Sequence, residues 1–137
     1  MATSNKKGEP NLAPKFFLKQ RAGYVYLIDY ALGKTVENIK KNPTVAISGM
    51  DVDTLLGYKM TGKVQIIGEG AVYKKMIAEL RRKAVVLSAR RIAEGVRRQR
   101  KHKYFELSFP ENALIYKIKI REVIEIGPSG HLNKMVL

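Results

Sequence analysis

A loop that leads into a predicted helix carries residues suited to binding a phosphate group. A strand-like run ends at residues 28–30 (IDY), and Gly33, Lys34 and Thr35 then open a short helix. A helix start presents free backbone N–H groups and the positive end of the helix dipole, to which Lys34 adds a charge and Thr35 a hydroxyl donor. Hydrogen bonds to a charged group contribute about 1.5–3 kcal/mol each, so two or three would hold one phosphomonoester. The alternative is an ordinary helix, capped by Thr35, with a solvated lysine.

Two glycine motifs resemble nucleotide-binding signatures without completing them. Gly33-Lys34-Thr35 matches the end of a P-loop, but that motif needs a glycine where this chain has Ile28. Gly68-Glu69-Gly70 begins a G-x-G-x-x-G pattern whose sixth position is Tyr73. Neither a P-loop triphosphatase nor a dinucleotide fingerprint is predicted.

The scarcity of other reactive side chains excludes several classes of site. Cysteine is absent, which rules out a disulfide framework, thiolate zinc or iron–sulfur ligation and Cys nucleophiles. His102 and His131 are the only imidazoles, and no G-x-S-x-G nucleophile elbow occurs. No metal site and no hydrolase is predicted.

The positive charge is concentrated in one segment. The chain has 26 Lys and Arg against 12 Asp and Glu, a formal charge of +14, and residues 71–103 hold +10 of it. A basic helix of this kind is either a solvated surface or binds an anionic substrate or nucleic-acid phosphates, independently of sequence because no RNA-binding signature accompanies it. A basic nucleic-acid-binding barrel that uses the helix at 71–101 is the alternative function.

The pattern of residues predicts a mainly β fold in a single domain. Period-two runs indicate about six antiparallel strands, at 15–19, 24–30, 44–50, 57–67, 104–109 and 113–126. Helices are predicted at 33–43 and from Ala71 onwards, the second as two helices or one broken helix, and 127–137 is predicted to be a tail. A small closed or split barrel fits this strand count because closure removes exposed edges. No apolar run reaches membrane-spanning length and the N-terminus has no signal-peptide core, so we expect a soluble cytoplasmic protein.

Several short motifs together resemble the FMN-binding split-barrel superfamily of the pyridoxamine 5′-phosphate oxidase type. They run from about Ala2 to Leu80 and comprise GEPNLAP at 8–14, the strand ending LIDY, GKTVENIKKNP at 33–43, TVAIS at 44–48 and GYKMTGKVQIIGEG at 57–70. The resemblance implies a six-stranded antiparallel split β-barrel of Greek-key type, over residues 1–137, with a basic helical insertion at about 71–102. It also implies a homodimer with FMN at the subunit interface.

The resemblance also implies which residues touch the cofactor. Lys34 and Thr35 would hold the FMN phosphate, supported by Asn38 and reached by Lys19. The isoalloxazine would run beside Lys15, Phe16 and Phe17, while Ile28 and Asp29 would border the ring or the ribityl chain. Tyr58 or Gly57 stands where the family has a later-strand glutamine. The aromatics Phe16, Phe17, Tyr24, Tyr26 and Tyr30 would either stack on a flavin or pack in the core.

Departures from the family pattern bear on activity. Pro14 stands where the oxidases have an arginine, and no Arg-x-His motif surrounds His131, so oxidation of the vitamin itself is not expected. The hypothesis is an FMN-binding, flavin-dependent oxidoreductase with an unidentified small-molecule redox substrate. A carrier of flavin, deazaflavin or haem on the same fold is the other alternative, with His102 and His131 as the only imidazole candidates for haem.

Overall fold

The computed structural model of the protein describes residues 1–30, 32–97 and 112–137, and of the helical residues 84 and 87–97 it describes the backbone alone. The chain divides into two compact units, Met1–Ile67 with Ala113–Leu137, and Gly68–Asn112. The predicted strand at 104–109, most of the turn that follows it, and His102 lie outside the described residues.

The first unit is an antiparallel sheet. Its strands are β1 (Ala2–Ser4), β2 (Pro10–Leu12), β3 (Phe16–Arg21), β4 (Tyr24–Asp29), β5 (Thr44–Asp51), β6 (Leu56–Ile67), β7 (Leu114–Ile126) and β8 (Leu132–Val136). The order is β2-β1-β5-β6-β7-β4-β3, and β8 also pairs with β7. The predicted fold class is confirmed: the protein is mainly antiparallel β with inserted helices, of the split-barrel type.

Two short hairpins open the chain. β1 and β2 are joined by a turn that contains Gly8 in the left-handed region, with φ of 82°. β3 and β4 are joined by a two-residue loop, Ala22 and Gly23, both at positive φ. β3 therefore extends two residues beyond its predicted end, while β4 begins at Tyr24 as predicted. A bulge at Leu18 lets that buried side chain point inwards.

The long strand β7 holds the sheet together. One edge of β7 pairs with β6 along most of its length, while the other is shared by β4 at Leu114–Lys119 and β8 at Glu122–Ile126. The prediction of a tail at 127–137 was therefore wrong. The tail forms a strand because the Gly127–Gly130 turn sends it back along the free half of β7.

The main hydrophobic cluster lies on one face of this sheet, and Ile28 and Ile115, which pair with each other, are buried on the other face. Alternate residues of β4, β5 and β7 point into the main cluster, together with helix α1 (Lys34–Lys41) through Ile39. The fully buried side chains of this cluster are Tyr116 and Ile118, and its other buried members are Met1, Val25, Leu27, Ile39, Val45, Ile47, Val64 and Ile120.

The second unit contains helix α2 (Gly70–Arg97), one continuous helix of 28 residues. The prediction of two helices, or of one broken helix, was wrong over these residues, since α2 is continuous from Gly70 to Arg97. In the part of the chain that the structure describes, neither helix has the length and apolarity needed to cross a membrane.

Candidate functional site

A cavity opens between the end of β4 and the start of β3. Its volume is about 290 Å³, and it is lined by Pro14, Lys15, Phe16, Ile28, Asp29 and Tyr30. The register explains this grouping, because Phe16 pairs with Ile28 across the hairpin. Four residues predicted to border a flavin, namely Lys15, Phe16, Ile28 and Asp29, are thus brought together at one place.

An ion pair is buried at this cavity. The Nζ atom of Lys15 lies 2.8 Å from Oδ1 of Asp29, and the two side chains are only 4% and 1% exposed. The hydroxyl of Tyr116 donates a 2.6 Å hydrogen bond to Oδ2 of the same carboxylate. A buried charge is tolerated only when it is paired and hydrogen-bonded, and Asp29 receives both kinds of partner.

Tyr116 is locked in its protonated form. Burial raises the pKa of this phenol above its ordinary value, and the hydrogen bond to Asp29 and the negative charge of Asp29 raise it further. The phenol therefore remains a hydrogen-bond donor to the carboxylate, and Asp29 in turn fixes the position of the Lys15 ammonium.

Helix α1 begins shortly after Tyr30, the last residue of the cavity lining in sequence order. The helix begins at Lys34 with Gly33 as its N-cap, and no side chain caps it. The prediction that Thr35 caps the helix was wrong, because Thr35 lies inside the first turn. Lys34 is exposed beside these uncapped backbone N–H groups, and Glu37, also exposed, is the acidic residue of the first turn.

Thr35 and Asn38 face the N-terminal arm. The Oγ1 atom of Thr35 accepts a 3.1 Å hydrogen bond from the Asn11 amide, and the Asn38 amide donates one of 3.2 Å to Oγ1 of Thr3. Asn11 also donates to Thr3 at 3.3 Å. The buried Thr35 and Asn38 side chains thus attach the helix start to β1 and β2, and Lys34 is the predicted phosphate ligand that stands at the surface.

Three predicted residues lie apart from the cavity lining. Phe17 is 57% exposed, on the opposite side of β3 from Phe16. Lys19 lies with its ammonium 5.9 Å from the ring centroid of Tyr26. Tyr58 pairs with Glu125 at the far end of β7 from Leu114, the partner of Asp29. The pKa of the Tyr58 phenol is raised, chiefly by desolvation and to a smaller extent by Glu125.

Tyr116 and Asn11 are site residues that sequence reasoning did not single out. Tyr116 is the one polar member of the inward stripe Leu114, Tyr116, Ile118 and Ile120, and a hydroxyl in such a stripe signals a buried partner. Asn11 had no distinguishing pattern, because its partners come from residues distant in the chain.

The residues present fit a flavin phosphate ester. A planar, largely apolar ring suits a cavity with Phe16 and Ile28 in its wall, and an anionic group suits the surface at Lys34. At about 290 Å³ the cavity is at the lower end of ligand-binding pockets, so a ligand as large as FMN would extend beyond it. Among the described residues, no cluster of His, Asp and Glu is suited to hold a metal ion.

The fold is that of a split barrel, and a family model agrees. The model described as pyridoxamine 5′-phosphate oxidase matches residues 1–125. The chain therefore belongs to the pyridoxamine 5′-phosphate oxidase family. No curated protein sequence is significantly similar to it.

Solved structures show the same fold at low sequence identity. HupZ of Group A Streptococcus matches with a TM-score of 0.61 and 24% identity over 96% of this chain and 86% of its own. A pyridoxamine 5′-phosphate oxidase-related FMN binding protein from Nostoc punctiforme matches with a TM-score of 0.59 and 12% identity, over 99% and 84%. A heme binding protein from Mycobacterium smegmatis matches with a TM-score of 0.57 and 16% identity over 98% of this chain, which spans 50% of that protein.

Proposed function

We propose that this protein binds FMN and takes part in oxidoreduction as a homodimer in the cytoplasm, acting on a small redox substrate. Residues 1–137 would form one FMN-binding domain with a basic helical insertion at 71–102. The observation that carries the proposal is the cavity in which Lys15, Phe16, Ile28 and Asp29 meet, followed directly in the chain by the uncapped helix start at Lys34.

Each part of the site has a distinct task in this proposal. Lys34 and the first backbone N–H groups of α1 would hold the phosphate, while Phe16 and Ile28 would pack against the ring. Bound FMN would supply hydride or electron transfer, since that chemistry belongs to the cofactor. The ion pair of Lys15 with Asp29, held in place by the Tyr116 hydroxyl, would give the cavity a fixed polar wall without net charge, against which the ligand is oriented.

The small volume of the cavity and the position of Tyr58 support the homodimer. Within a single chain, Tyr58 lies beside the end of β7 that is remote from Asp29. A second copy placed across the cavity would enlarge the binding surface, and would be the means by which a distant residue such as Tyr58 takes part in the same site.

A haem or deazaflavin carrier on the same fold is the second candidate, and a heme binding protein is among the structural neighbours. The six residues that line the cavity include no imidazole, and His131 is exposed in the connection between β7 and β8. His102, the other imidazole candidate, lies outside the described residues.

The test is a fluorescence titration of the purified, cofactor-free protein with FMN. Lys34→Ala should weaken binding at least about tenfold, because a charge-assisted contact of about 1.5–3 kcal/mol is lost. Lys40→Ala is the matched control, since Lys40 is exposed in the last turn of the same helix. Absorbance and mass of any copurified chromophore identify the cofactor independently.

Two results would overturn the proposal. The first is a purified protein that is colourless and leaves the fluorescence of added FMN unchanged, which would show that it does not bind FMN. Equal losses for Lys34→Ala and Lys40→Ala would place the phosphate away from the helix start.

A further inference from the structure

Two rows of side chains cross the outer face of the sheet, on the side opposite the main hydrophobic cluster. The first row runs through Arg21, Tyr24, Lys119 and Lys63, and the second through Lys19, Tyr26, Lys117 and Gln65. Directly paired residues of antiparallel strands share a face, so the register alone brings these side chains together. We call them the basic sheet face; five of its eight members are cationic and none is acidic.

Lysines and tyrosines already contact one another on this face. The Lys117 ammonium lies 4.5 Å from the ring centroid of Tyr24, and the Lys19 ammonium 5.9 Å from that of Tyr26. The two rings are 6.5 Å apart and tilted by 41°. Both rings are partly exposed, while Arg21, Lys63 and Lys119 are fully at the surface.

Cations outnumber acids on this side of β7, where Lys117 and Lys119 lie. The acid further along β7 on this side is Glu122, and Lys134 of β8 pairs with it at 2.6 Å. Strands about 4.8 Å apart and alternate residues about 7 Å apart hold the cations close together. Such an array favours a ligand with repeated negative charges.

We propose that the basic sheet face binds single-stranded nucleic acid. Lys and Arg would contact successive phosphates, and Tyr24 and Tyr26 would offer ring faces on which unpaired bases stack, a combination that suits single strands without sequence preference. A duplex would not use the rings, because its bases are already stacked. A second copy of this chain is a poor occupant, since it would bring five cations against five. Of the residues predicted to bind the cofactor, the face includes Lys19 alone.

Fluorescence anisotropy with a labelled oligo(dT) tests it over a range of salt concentrations. Each phosphate contact on a single strand contributes about 0.7 to the slope of log K against log salt. Lys117→Gln with Lys119→Gln should therefore reduce the slope by about 1.4. Lys6→Gln with Lys7→Gln is the matched control, because it removes the same charge from the exposed turn between β1 and β2.

The tyrosines test stacking separately from charge. Tyr24→Leu with Tyr26→Leu should weaken oligo(dT) binding at least about fivefold at constant salt, and leave binding of a matched duplex unchanged. Tyr73→Leu, on α2, is the control and should have no effect. Thermal melting of each variant, and FMN binding where it is found, establish that the variants fold.

Four results would overturn the proposal. The first is no oligo(dT) binding by the unchanged protein at low salt, and the second is an equal loss in the Lys6/Lys7 control. The third is a loss seen only when Arg81 and Arg82 of α2 are changed to Gln, which would assign binding to the basic helix. The fourth is a combination of two observations: the unchanged protein does not bind the oligonucleotide, and the Lys117/Lys119 variant changes its oligomeric state. Together they would assign the face to a second copy of the chain.

Discussion

The Lys15 ammonium and the Asp29 carboxylate form a 2.8 Å ion pair that is almost fully withdrawn from solvent. Lys15 stands just before β3 and Asp29 at the end of β4, so the pair joins the two ends of the hairpin that carries the candidate cofactor cavity. Because removal of one partner leaves the other as an uncompensated buried charge, this contact bears on the stability of the fold as well as on the site.

Replacement of the carboxylate should therefore be strongly destabilising. We expect Asp29→Asn to lower the free energy of unfolding by about 3–5 kcal/mol, since Lys15 loses its counter-charge inside the protein. Urea denaturation measures this. The matched control is Glu122→Gln, whose partner Lys134 is 58% exposed, and it should cost less than about 1 kcal/mol. Similar losses in the two variants would contradict the assignment of a buried pair.

Loss of the Tyr116 hydroxyl should have an intermediate effect. Tyr116→Phe keeps the ring in the core and removes the hydrogen bond to Asp29, so the free energy of unfolding should fall by about 1.5–3 kcal/mol. Tyr24→Phe removes a hydroxyl from the partly exposed outer face and should change stability little. If the two variants were equally stable, the 2.6 Å contact would contribute nothing to folding.

The stability of the protein should decrease in the alkaline range. The pKa of Tyr116 is raised in the folded protein from an ordinary value of 10.0, so above about pH 10 the unfolded chain loses a proton that the folded chain retains. The free energy of unfolding then falls with rising pH by at most about 1.4 kcal/mol per pH unit for this group, and it is constant below that range. Urea denaturation from pH 8 to 11 should show a shallower decline in Tyr116→Phe, and equal declines would count against the raised pKa.

Gly62 should be irreplaceable at the bulge between β6 and β7. A Cβ atom there would overlap the carbonyl oxygen of Lys119 and lie 3.0 Å from Cγ2 of Ile118. Backbone cannot move aside as a flexible side chain does, so Gly62→Ala should cost roughly 1–3 kcal/mol in a denaturation experiment. At Gly57 on the same strand the nearest atom would be 3.5 Å away, and Gly57→Ala should be neutral or slightly stabilising. A neutral Gly62→Ala would show that the two strands separate easily at this point.

Local patterns predicted most of the elements. The alternation of apolar and polar residues predicted the ends of β5, β6 and β7 to within a residue or two of those observed. A strand with one buried face alternates in this way because successive side chains point to opposite faces. The helix at Lys34 was predicted from the spacing of Val36 and Ile39, its basic last turn and Asn42-Pro43, whereas the predicted cap at Thr35 was wrong. One exception is the hairpin of β1 and β2, which is not among the six predicted strands. Another is β8, which exists because half of one β7 edge is open to it. The last is α2, which is continuous where a break was predicted.

By itself the sequence determined the mainly β class. It also predicted a phosphate site at Lys34 and, by resemblance to a family, a cofactor site that contains Lys15, Phe16, Ile28 and Asp29. Only the tertiary structure decided that Lys15 and Asp29 neutralise each other under the Tyr116 hydroxyl, and that Thr35 turns towards Asn11. It also decided that the lysines of β6 and β7 stand in rows beside Tyr24 and Tyr26. The physical reason is that period and propensity act over a few neighbouring residues, whereas these contacts depend on strand register between segments far apart in the chain.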